Sequence, residues 1–419
     1  MDTLPLELKQ RVCSYLTTKD LKSLRLASKV YSVAACRYLL PRIFLFNHPD
    51  SCQEVQDIAN HSDLNQSVTT LIVDTSCLRS LLKYDSWVRE FVEVESDKTQ
   101  QSERSSSASS LDARTQRILH RNNLRERWAS YCASQKDCLR NSILSSIALA
   151  FLRCPRLKNL VVECHINQEF RVRSSFGMLK KREQFYRSVA SSNAQRSSSK
   201  YDWSWESMQF DIWDVLKPVH DAARSLNSLV LLDADLTCPL DWTPPATSIF
   251  RSLKHLRQIN CPTNFLTHIV ASAPGLKSFG TFDRWHLRRY PSVPSLISGP
   301  LLPKLRACSF TCVAEGEDLI QFLLRHAHTL QQLRIDNTLG PLSDWSRFVT
   351  SVRGKLPNLR RVDLKHLATF TAGWGLGPYF TEYDILQNHK HKLELSLTGI
   401  EDGLWEDYEQ MFFPEKIEL

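Results

Sequence analysis

Leu302-Pro303-Lys304-Leu305-Arg306-Ala307-Cys308-Ser309-Phe310 is the stretch on which the fold turns. A short proline-containing link leads into a leucine, a second apolar residue follows three positions later, and a brief apolar run closes the phrase. The phrase returns as Cys-Pro-Arg-Leu157-Lys-Asn-Leu160, Ala-Arg-Ser-Leu226-Asn-Ser-Leu229, Arg-Ser-Leu253-Lys-His-Leu256 and Ala-Pro-Gly-Leu276-Lys-Ser-Phe279. It returns again as Ala-His-Thr-Leu330-Gln-Gln-Leu333 and Leu-Pro-Asn-Leu359-Arg-Arg-Val362. From Leu226 onward the anchor leucines are 27, 23, 29, 25 and 29 residues apart. Helical patterns at 265–273 and 317–326 precede two of the runs. This spacing fits one strand and one helix per unit. A unit of that size cannot bury its apolar face alone, so neighbours must stack.

The expected fold is therefore an α/β solenoid, an irregular leucine-rich-repeat horseshoe with parallel strands. Val68–Asp74 is expected to supply its first strand and Leu393–Leu397 its last. Two polar, serine-rich stretches interrupt the array, one containing SERSSSASS within 96–110 and one containing SSNAQRSSSK within 188–200. Their composition cannot build a core and suits loops. The organisation read from the sequence is an N-terminal helical unit at 1–46, a linker helix and first repeat at 47–94, and a polar insert at 95–127. The repeat array follows at 128–399, with an acidic tail at 400–419.

The N-terminal unit reads as three short helices. Pro5 suits a first turn and Glu7 complements the positive helix end. Leu4, Leu8, Val12 and Leu16 recur every four residues, and Thr17-Thr18-Lys19-Asp20 breaks the run and offers caps. Leu21 and Leu24 share a face of the second helix, and Pro41 stops the third. So few residues are too small for an independent core. The apolar stripe is either packed on the rest of the chain or offered to a partner helix.

The run LPLELKQRVCSYLTTKDLKSLRLASKVYSVAA, residues 4–35, resembles the F-box. The family's pattern falls on Leu4-Pro5, Glu7, Val12, Leu16, Asp20-Leu21, Leu24-Arg25-Leu26 and Lys29-Val30-Tyr31. Tyr31 stands where the family usually has Trp, and Cys13 where an aromatic is common. The resemblance covers about a tenth of the chain. It implies a three-helix module that binds a Skp-family adaptor and, through it, a cullin-RING core. The implied contacts are Leu4, Pro5, Leu8, Val12, Leu16, Leu21, Leu24 and Tyr31. It further implies a non-enzymatic substrate-recognition subunit of an SCF-type ubiquitin ligase. Such a subunit would be cytoplasmic or nuclear, would need no cofactor, and would hold an unknown protein substrate on its repeats for ubiquitination.

Composition excludes several other classes. In 419 residues there are only 12 glycines, which argues against a nucleotide-binding Rossmann domain. No run of 18 apolar residues is present, so no transmembrane helix is expected. Met1–Pro5 lacks a basic n-region and apolar h-region, so no secretory signal is expected. Twelve cysteines are scattered without a CxxC, the usage of reduced thiols. His326-Ala-His328 and His389-Lys-His391 would put two rings on one face of a strand, but further zinc ligands are missing and no metal site is assigned. Gly373–Gly377 lacks the strand and helix that a phosphate loop needs.

The net charge of +8 is unevenly spread. Nine basic residues and one acid lie from Arg251 to Arg306, whereas seven acids and one base lie from Glu401 onward. The basic stretch is either a solvated face or a site for an anionic partner, which leaves a nucleic-acid or polyanion binder as the alternative function. Within it, charge and aromatic character coincide at Arg284, Trp285, Arg288 and Arg289, the candidate substrate contacts.

Overall fold

A computed structural model describes residues 4–78, 122, 126, 129–130, 133–135, 138, 140–163, 205–207, 210–232, 236–237, 247–259, 263–282, 301–311, 316–336, 351–352 and 354–365. The anchor leucines set its plan. In each of the seven phrases a strand begins two residues after the anchor, so Leu157, Leu226, Leu253, Leu276, Leu305, Leu330 and Leu359 precede β3 (Asn159–Glu163), β4 (Ser228–Leu232), β5 (His255–Ile259), β6 (Ser278–Phe282), β7 (Ala307–Thr311), β8 (Gln332–Asp336) and β9 (Arg361–Lys365). All seven anchors are buried. With β1 (Arg42–Phe46) and β2 (Thr70–Asp74) these strands form an open nine-stranded sheet, parallel throughout, in which spatial order follows chain order. The molecule is thus an α/β protein.

Register turns the repeated phrase into columns. Ile43, Leu71, Leu160, Leu229, Leu256, Phe279, Cys308, Leu333 and Val362 lie side by side across the nine strands, and all are buried. Two residues on, Leu45, Val73, Val162, Leu231, Gln258, Thr281, Phe310 and Ile335 form a second buried column, as the two-residue period of a strand requires. Gln258 and Thr281 are polar in an apolar column, and the Gln258 amide donates to Thr281 Oγ1 at 3.4 Å.

Helices precede the strands and share their core. α4 (Pro49–Asn60) packs on α5 (Arg140–Arg153), and α5 on α6 (Ile212–Asp221), with Arg140 paired to Asp214 across the second contact. α7 (Thr247–Phe250), α8 (Thr263–Ala271) and α9 (Gly316–Arg325) continue the series. The expected helices at 265–273 and 317–326 are found one or two residues earlier. The sheet also starts sooner than expected. Arg42–Phe46 pairs with Thr70–Asp74, so Val68–Asp74 contributes the second strand and not the first. β1 has the same layout: Leu40 is buried in the core of the sheet, two residues before the strand begins and three before Ile43, in a stretch the sequence reading used only as the end of the third helix. The terminal strand expected at Leu393–Leu397, both serine-rich stretches and the acidic tail lie outside the described residues. Among the described residues, no helix is long and apolar enough to cross a membrane.

His326 and His328 are not strand neighbours. They sit in the turn after α9, His328 exposed and His326 buried. Both ring nitrogens of His326 are engaged: Nδ1–H donates to the Phe322 carbonyl at 2.8 Å and Nε2 accepts from Leu302 N–H at 3.1 Å. The histidine ties α9 to the preceding phrase. His326→Leu is expected to strand the buried Leu302 N–H and cost about 1–3 kcal/mol, read as a lower denaturation midpoint.

Candidate functional site

The N-terminal residues fold as α1 (Leu6–Cys13), α2 (Thr18–Ala27) and α3 (Lys29–Leu39). Thr17 caps α2 as expected, its Oγ1 accepting from Asp20 N–H at 3.2 Å while its hydroxyl donates to the Asp20 carboxylate at 2.6 Å. These helices enclose a core separate from that of the sheet: Cys13, Leu21, Tyr31, Ala34, Ala35, Cys36 and Leu39, with Leu16, Leu24 and Tyr38 packed against it. The connection to the sheet is short. Ser67 Oγ donates to the Leu40 carbonyl at 3.1 Å. The Arg156 guanidinium lies 5.8 Å from the Tyr38 ring and donates to the Arg37 carbonyl at 3.3 Å.

This packing sorts the candidate contacts. α1 turns Lys9 and Cys13 inward, one turn apart, and Lys9 Nζ stands 5.9 Å from the Tyr31 ring. The neighbouring stripe is left outside, with Leu8 47% and Val12 43% exposed. Pro5 is exposed at the N-cap of α1 and Leu4 is half-buried. Leu16 and Leu24 are half-buried, while Leu21 and Tyr31 belong to the interior of the unit. The two departures from the family pattern, Cys13 and Tyr31, are therefore both core residues. Leu26 and Val30, which lie in the family pattern but not among its implied contacts, are also exposed, as are Leu6, Tyr15 and Val33, which the sequence did not single out. Among the described residues, seven of the nine large hydrophobic side chains left exposed lie between Leu6 and Val33. An apolar concentration of this kind marks a surface made to be covered.

Arg284, Trp285, Arg288 and Arg289 lie outside the described residues. What is described is the face of the sheet opposite the buried columns. Its central column runs Phe44, Ile72, Val161, Val230, Arg257, Gly280, Ser309, Arg334 and Asp363. It is apolar over the first four strands and, apart from Gly280, polar or charged beyond. Arg334 Nε lies 3.8 Å from the Asp363 carboxylate across β8 and β9. The sequence could have revealed this column, because in each of the seven phrases it is the position directly after the second apolar residue.

His255 opens β5 and shares a 2.7 Å hydrogen bond with Ser278 Oγ on β6. Burial, then the ammonium groups of Lys277 and Lys254, pull its pKa down to about 4. The unfolded chain, with an ordinary histidine near 6.5, binds the extra proton first. The stability this site contributes is complete above about pH 6.5 and is lost as pH falls toward 4. Melting temperatures of wild type and His255→Gln across that window are expected to converge on acidification.

No family model matches the chain, and no curated protein matches it.

Proposed function

We propose that the chain is the substrate-recognition adaptor of an SCF-type ubiquitin ligase. In this reading the helical unit is an F-box that docks onto a Skp-family adaptor. The rest is a leucine-rich-repeat solenoid that holds a protein substrate. The observation that carries the reading is the concentration of exposed apolar side chains on α1–α3, a unit whose own core is already filled. The strand order and the regular strand start two residues after each anchor leucine support the solenoid.

Such a protein does no chemistry. It raises the effective concentration of substrate beside a ubiquitin-charged enzyme. Arg284, Trp285, Arg288 and Arg289 remain the proposed substrate contacts, and the cytoplasm or nucleus the proposed location. The test is reconstitution: the purified chain is mixed with a Skp-family adaptor and a cullin-RING core and passed through a sizing column. One assembly containing all components is expected. No complex with the adaptor ends the reading, and a complex with the adaptor that excludes cullin replaces it with a non-ligase scaffold.

A further inference from the structure

The backbone ladder extends one residue beyond the strands at their entry ends. Lys158 N–H donates to the Thr69 carbonyl, Asn227 to Lys158, Lys254 to Asn227, Lys277 to Lys254, Arg306 to Lys277, Gln331 to Arg306 and Arg360 to Gln331, all at 2.7–3.2 Å. Seven residues from seven separate phrases thus stack in one column, one per strand step of about 4.8 Å. Lys158, Lys254, Lys277, Arg306 and Arg360 are cationic, and Asn227 and Gln331 are neutral. Lys254, Lys277 and Arg306 occupy three consecutive steps. All five cations are exposed except Lys277, which is half-buried, and none forms a side-chain ion pair among the described residues.

Nothing in the flanking sequence neutralises this edge. Residues 155–158, 224–227, 251–254, 274–277, 303–306, 328–331 and 357–360 contain no Asp or Glu. The acids of the nine strands stand elsewhere: Asp74, Glu163 and Asp336 are final strand residues, at the opposite ends of the strands, and Asp363 is mid-strand beside Arg334. Lys277 and Lys254 add, after burial, to the lowering of His255 basicity. The basic stretch seen along 251–306 is therefore divided: Arg251, Lys254, Lys277, Lys304 and Arg306 belong to this edge, joined by residues distant in sequence, whereas Arg257 is buried mid-strand, in the column of Val230 and Gly280.

We propose that this edge binds an extended acidic segment of a partner protein, its Asp and Glu side chains meeting Lys254, Lys277 and Arg306. An edge of uniform charge spanning about 29 Å from Lys158 to Arg360 suits a chain that carries repeated carboxylates. The same seven segments contain no Phe, Tyr or Trp, so the stacking platforms that hold single-stranded nucleic acid are missing. The proposal does not depend on docking by α1–α3.

The full chain is titrated against a fluorescent peptide of alternating Glu and Ser, its Gln counterpart, and an oligo-uridylate of equal length. The Glu peptide is expected to bind, the Gln peptide to fail, and affinity to drop at least about fivefold between roughly 50 and 200 mM salt. Lys254→Glu with Lys277→Glu and Arg306→Glu is expected to weaken binding at least about tenfold. Lys19→Glu with Lys29→Glu and Arg153→Glu, the same change in net charge elsewhere, should stay within about twofold. The milder pair Lys254→Gln and Arg306→Gln, which leaves no new acid on the edge, is expected to lose about threefold. Equal losses in the two Glu triples, an unchanged Gln pair, or tighter binding of the oligo-uridylate overturns the proposal. Retained adaptor binding by the edge variants separates this result from any failure of α1–α3 docking.

Discussion

Replacing Leu8 and Val12 together by aspartate is expected to weaken binding of a Skp-family adaptor at least about 100-fold, a loss of roughly 2.7 kcal/mol. Both side chains lie on the outside of α1, away from the small core of Cys13, Leu21, Tyr31, Ala34 and Ala35. Two carboxylates there cost the free protein little, because water solvates them. Under a partner they are buried without counter-charges, and that penalty falls entirely on the complex. The melting temperature should therefore move by no more than about 2 °C while titration calorimetry with the adaptor loses its signal. Leu21→Asp makes the contrast, since Leu21 is interior: it should disrupt the unit itself, seen as lost helical signal. If Leu8 and Val12 tolerate aspartate with affinity unchanged, α1 is not the docking element.

The second large effect concerns the sheet. Phe310 is fully buried in β7, 6.1 Å from the Phe279 ring on β6 and 5.5 Å, edge-on, from Phe322 on α9. Phe322 in turn lies 4.4 Å from the His326 ring. Phe310→Ala opens a cavity among groups held by two strands and a helix, and is expected to cost about 3–5 kcal/mol. In a sheet whose strands touch mainly their chain neighbours, the loss need not spread evenly. Hydrogen exchange should accelerate most in β6, β7, β8 and α9 and least in β1–β3. Uniform acceleration across all nine strands would contradict the serial organisation.

How far the sequence announced these features depends on how local their signals were. The seven anchor leucines were legible because one phrase carries both the turn into a strand and its first buried side chain. β1 was missed although Leu40-Pro41-Arg42-Ile43 carries the same phrase, because Leu40 and Pro41 also end the third helix and were read only as its stop. On α1 the four-residue stripe was visible, but which face is covered depends on α3, and that turned Lys9 and Cys13 inward and left Leu8 and Val12 outside. The cationic edge was half visible. Successive cations are 23 and 29 residues apart at adjacent rungs and 54 and 96 apart where a neutral rung intervenes, and only strand register places them side by side. Likewise, pairing His326 with His328 by spacing assumed a strand where a turn forms, and the ring was already committed to Phe322 and Leu302.

The serial strand order has a mechanical side. Tension applied between the α1–α3 unit and β9 passes through eight strand junctions; Ser76–Leu78, paired antiparallel with Trp205–Ser207, braces the stretch from β2 to β4, and from β4 to β9 the described junctions stand in series. Load of that kind peels the hydrogen bonds of one junction at a time instead of shearing them together. The molecule should extend as a compliant spring, yielding from an end in small steps. A chain of this build would stretch under load without losing its whole fold at once.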